Sequence, residues 1–118
     1  MMKIIRNILL IIIAVAFISC EGQKPPHVVV NSKTSGFASY FYYDIEVENK
    51  GEMPAYFVIL VAKALDKDNN LIQQVEKSYG DLFPGEIVSK RLYFEKATSQ
   101  PKSLDIEFVY QLTMDGSY

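Results

Sequence analysis

Two stretches of this 118-residue chain alternate with a period of two, and that alternation limits the fold more than any other feature. In Phe41–Glu48 the odd positions are Phe41, Tyr43, Ile45 and Val47, and the even ones are Tyr42, Asp44, Glu46 and Glu48. In Leu104–Leu112 the even positions are Leu104, Ile106, Phe108, Tyr110 and Leu112, set against Asp105, Glu107, Val109 and Gln111. Successive side chains of a β-strand point to opposite faces, so each stretch turns one face to a core and the other to water. The pattern predicts that Ile45, Val47, Ile106 and Phe108 are buried. It places Phe41 and Tyr43 on the core side and Tyr42 outward beside Asp44. No stretch sustains a 3.6-residue period, and there is no internal repeat.

The rest of the chain reads the same way. Ala55–Leu65 (AYFVILVAKAL) is almost wholly apolar, and its aromatic and β-branched residues favour a strand. Unbroken apolarity predicts a central strand covered on both faces. Val28–Val30 opens the series, a weaker polar strand runs from Leu71 through Val75, and Ile87–Phe94 forms another that contains Lys90 and Arg91. Turn chemistry separates them at Asn49-Lys50-Gly51, Asp66–Asn70, Pro84-Gly85 and Gln100-Pro101. Six or seven strands at intervals of about ten residues predict an all-β antiparallel β-sandwich spanning residues 28–118. A content of 22% charged and 13% aromatic residues argues against disorder.

The N-terminus carries a different signal. Lys3 and Arg6 precede Ile8–Ile18, eleven residues without a polar group, and Ser19-Cys20 follows. A positive start, a short apolar helix and a small residue before the cut describe a signal peptide over residues 1–19. The run falls short of the roughly 20 apolar residues that cross a bilayer. Residues 20–27 then form a tether, EGQKPPH after Cys20, whose Pro-Pro pair favours extended backbone and makes it a short spacer.

Phe17-Ile18-Ser19-Cys20 resembles the lipobox of bacterial lipoproteins, with Phe17 where the family prefers Leu. The resemblance implies cleavage between Ser19 and Cys20, a diacylglycerol thioether on the Cys20 sulfur and an added N-acyl chain. It also implies a protein held by lipid on the membrane of the cell envelope, facing the periplasm or exterior. One myristoyl-length chain binds only reversibly, at about 0.8 kcal/mol per buried methylene, so two or three chains anchor durably. A second resemblance covers residues 40–112. Asn49-Lys50-Gly51 after a strand, Leu65-Asp66-Lys67-Asp68-Asn69, and Leu82-Phe83-Pro84-Gly85-Glu86 are similar to ordered landmarks of FxLYD-type and related immunoglobulin-like domains of bacterial surface proteins. Leu65 replaces the family's Tyr, and Asn69 stands in place of its Gly. That resemblance implies an immunoglobulin-like sandwich and no catalytic residues.

Chemistry-bearing clusters are sparse. The chain has one Cys and one His, so it forms no internal disulfide and lacks ligands for a Cys/His zinc site. His27 lies in the tether, which leaves no base for a serine-type triad. Asp66, Asp68 and Asn70 share the spacing that begins a calcium loop, but Leu71 and Lys77 occupy the positions that need Gly and Glu, so a polar hairpin turn is the simpler reading. Asp44, Glu46 and Glu48 lie along one solvated strand face, where acids confer solubility rather than paired-carboxylate catalysis. The net charge is −2, and −4 from Cys20 onward (10 basic minus 14 acidic), with no basic run for nucleic acid. The expectation is a non-enzymatic binding, scaffolding or adaptor module with no cofactor beyond the lipid on Cys20. Its partner is a protein or glycan, and Tyr40 and Tyr42 are the candidate surface, because exposed tyrosines offer large contact area at low entropy cost. The alternative is a carrier of a small apolar ligand between the sheets.

Overall fold

The computed structural model describes residues 22–114. The signal segment with its expected helix, Ser19 and Cys20 lie outside the described residues. Six strands follow in chain order: β1 (Val28–Ala38), β2 (Tyr40–Asn49), β3 (Ala55–Leu65), β4 (Leu71–Leu82), β5 (Ile87–Phe94) and β6 (Ser103–Gln111). They form two antiparallel three-stranded sheets, ordered β1-β2-β5 and β4-β3-β6. Ile45, Val47, Leu92 and Phe94 from the first sheet meet Val58, Leu60, Ala62, Ala64 and Leu82 from the second in one closed core. Burying each large aliphatic chain there contributes about 1.5–3 kcal/mol. Tyr79 joins the sheets: its buried hydroxyl donates to the Ile45 carbonyl at 2.8 Å. Burial pushes this phenol up to about 12.

Bulges set which side chains reach the core. In β4, Gly80 pairs with Val58 and Ser78 with Ile59, so Tyr79 is the extra residue that turns inward. In β1 the register slips at Asn31, with Val30 opposite Val47 and Lys33 opposite Ile45. That slip puts Lys33, rather than Ser32, on the inward face.

Three expectations need correction. β3 is central in its sheet, yet only one of its faces is covered. Phe57 is 49% exposed and Ile59 lies open beside Val109, because no described element packs outside this sheet. Ile106 and Phe108 face inward but are only half-buried, since β6 is an edge strand. The tether is no free spacer from Lys24 onward. Lys24 accepts a backbone hydrogen bond from Glu52 at 3.2 Å, Lys50 donates to His27 at 2.8 Å, and Pro26 is buried. Two strands are also longer than expected, β1 by the stretch from Asn31 to Ala38 and β4 by the stretch from Glu76 to Leu82.

Candidate binding surface

The outer face of the first sheet is built on β2 and β5. Their register sets Tyr42 opposite Tyr93 and Asp44 opposite Arg91. Asp44 and Arg91 form a forked pair, with Arg91 Nε donating to Asp44 Oδ1 at 2.7 Å and Nη2 to Oδ2 at 2.9 Å. That pair holds the Asp44 carboxyl below its ordinary value and keeps the guanidinium charged. The Arg91 carbon centre lies 3.8 Å above the Tyr42 ring, in cation–π contact. Beneath the ring is Gly36 of β1, where any Cβ would collide with the phenol. Glycine inside a strand here serves a close approach. The Tyr93 ring meets Tyr42 edge-on at 6.0 Å.

Tyr42 is therefore half-buried between Gly36 and Arg91, and it supports the surface more than it offers contact area. Tyr40 and Tyr93 are the open rings, 47% and 45% exposed. With Ala38, Ser39 and Glu95 they line a shallow cleft of about 370 Å³ at the hairpin between β1 and β2. Ser39 takes a left-handed φ of 66° to make that two-strand turn. Of the two expected residues, Tyr40 is open to solvent and Tyr42 half-buried, with Tyr93 and Arg91 beside them. Arg91 stands on the outward positions of β5 with Ser89 and Tyr93, and that alternation was the available signal for it. Its partner could not be read without the register.

The remaining candidates have plain roles. Asp66 Oδ1 accepts the backbone N–H groups of Asp68 (2.8 Å) and Asn70 (2.9 Å), which caps the β3–β4 turn and lowers its carboxyl. Asn69 adopts φ 63° there, the left-handed conformation expected of the residue in the glycine position. Glu48 accepts from Asn31 at 2.7 Å, so Asp44 and Glu48 each have a different partner. No group of three His, Cys, Asp or Glu side chains fit to hold a metal occurs among the described residues. No described helix is long and apolar enough to cross a membrane. Three clefts among the described residues lie outside the core: the Tyr40 cleft, one at the β3–β4 turn lined by Asp66, Lys67 and Gln100, and one along the tether at Lys24–His27.

The most ordered polar site is one the sequence marks only as a turn. Asn49, fully buried, makes four side-chain hydrogen bonds: its Oδ1 accepts from His27 N and Gly51 N, and its Nδ2 donates to the carbonyls of Met53 and Leu82. It ties the tether, the end of β2, the following loop and the end of β4 into one knot. Gly51 is required beside it, because a Cβ there would strike the Pro25 carbonyl oxygen and the backbone of Pro26 and His27.

Comparison with known proteins adds no relative. No family model, curated protein or solved structure matches the chain.

Proposed function

We propose that the chain is a lipid-anchored component of a bacterial cell envelope, whose immunoglobulin-like β-sandwich domain binds a protein or glycan partner without catalysis. The observation that carries the binding role is the pair of open rings, Tyr40 and Tyr93, on a surface already ordered by the Tyr42–Arg91–Asp44 stack. A surface whose side chains are fixed before contact loses little entropy on binding. The lipid anchor is supported by the sequence up to Cys20 and by the short distance left to it. Since Lys24 is already held to the domain, only Glu21–Gln23 separate the fixed backbone from Cys20. The four steps from Cys20 to Lys24 span at most about 14 Å, so lipid on Cys20 would hold this end of the domain close to the membrane. The second reading, an apolar carrier, would need a cleft between the sheets, where Ile45, Val47, Leu60 and Phe94 instead pack together.

Two experiments test the proposal. Fatty-acid label incorporated by the wild type should be lost in Cys20→Ser, and label retained by that variant would refute the anchor. For the surface, Tyr40→Ala with Tyr93→Ala should reduce pull-down yield from envelope extract while leaving the melting temperature close to wild type. Unchanged capture would remove this face from the binding role.

A further inference from the structure

Each sheet has two edges, and at three of them a lysine occupies a position in register with the core face, Lys33 and Lys77 exposed and Lys90 half-buried. Ile45, at the centre of the first sheet, is flanked by Lys33 on β1 and Lys90 on β5. Leu60, at the centre of the second, is flanked by Lys77 on β4 and by Phe108 on β6. An inward-facing charge at an edge resists the addition of a further strand, which would bury it. β6 has no such guard. Its inward residues are Leu104, Ile106, Phe108 and Tyr110, the last three only half-buried.

The two sides of the molecule also differ. β4 runs directly into β5 through the Phe83–Glu86 turn, which links the two sheets on that side without a shared ladder. On the other side, β1 and β6 form no shared ladder, and Val30 is half-buried like the β6 residues. Tyr110 is met there by the Pro26 carbonyl at 3.5 Å, so the tether limits the open stretch to about Leu104–Val109. The outward residues of that stretch are the exposed acids Asp105 and Glu107 and, at its end, the exposed Val109.

We propose that the free edge of β6 is a strand-addition site for an extended segment of another polypeptide that alternates apolar and basic residues. Added beside β6, such a segment places its apolar side chains against Ile106 and Phe108 and its basic ones beside Asp105 and Glu107. Main-chain hydrogen bonds supply the pairing, and the alternation selects the partner. A second copy of this chain fits poorly in the register that pairs the two Ile106 residues. Antiparallel pairing of two β6 edges centred on Ile106 sets Asp105 of each opposite Glu107 of the other, and like charges directly opposite are destabilising. The site is independent of the tyrosine surface and of the lipid.

The test uses the full chain in non-ionic detergent and two capped seven-residue peptides, one alternating Lys with Val and one alternating Glu with Val. Amide hydrogen exchange read by NMR reports where each peptide binds. The Lys/Val peptide should slow exchange of the β6 amides at least tenfold, and the Glu/Val peptide should not. Asp105→Asn with Glu107→Lys, both exposed positions, should weaken the Lys/Val effect at least tenfold with the melting temperature retained. The proposal is overturned if β6 gains no protection, if both peptides protect it equally, or if β1, β4 and β5 are protected as strongly.

Discussion

β2 and β6 carry the same alternating pattern and have different fates. Ile45 and Val47 on β2 are closed to solvent, whereas Ile106 and Phe108 on β6 are half-open. The cause is position in the sheet. β2 lies between β1 and β5 and under the second sheet, while β6 has β3 on one side and no other described strand on the other. Alternation tells which side chains face inward and is silent about how many neighbours they meet there. Central and edge strands of equal amphipathicity therefore differ in stability and in availability to partners.

Substitutions sharpen that contrast. The largest effect belongs to Ile45→Ala, which empties a fully enclosed site and should cost about 3–5 kcal/mol in denaturant unfolding. Phe108→Ala should cost only about 2 kcal/mol, because part of its ring already meets water. A loss at Phe108 equal to that at Ile45 would mean the β6 face is as enclosed as the β2 face. A smaller effect concerns pH. The folded Asp44 carboxyl lies below its ordinary 3.8 because Arg91 hydrogen-bonds the ionised form. Its contribution is therefore complete above the unfolded carboxylate value and fades as pH falls through the lower folded one. Between wild type and Asp44→Asn, the stability difference should shrink below about pH 4. A difference constant from pH 7 to pH 2 would show that the pair is not formed. Smallest is Glu107→Ala on the solvent side of β6, expected within about 0.5 kcal/mol of wild type.

The fold class was legible because strand alternation and turn residues are local. Phe41, Tyr43, Ile45 and Val47 face inward as their pattern requires, and Asn69 adopts the left-handed turn. What could not be read depends on contacts distant in sequence. The apolar run of β3 reads as doubly covered, and only the absence of an outer layer among the described residues leaves Phe57 and Ile59 exposed. The slip at Asn31 that turns Lys33 inward has no sequence signature of its own. Asn49 was visible as a turn residue, but its bonds to Leu82 and His27 span 33 and 22 residues. The same holds for the surface: Tyr40 and Tyr42 look alike in sequence, and only the glycine beneath Tyr42 and the Arg91 above it separate a contact residue from a support.

Amide hydrogen exchange of the unliganded chain tests the contrast between the two strands most directly. β2 is paired on both sides, so its amides from Phe41 to Glu48 should exchange only through global unfolding. β6 is paired on one side, so protection should alternate, with every second amide between Leu104 and Val109 exchanging at least tenfold faster than its neighbours. Continuous protection along β6, matching that of β2, would show its outer edge already occupied and would contradict the account.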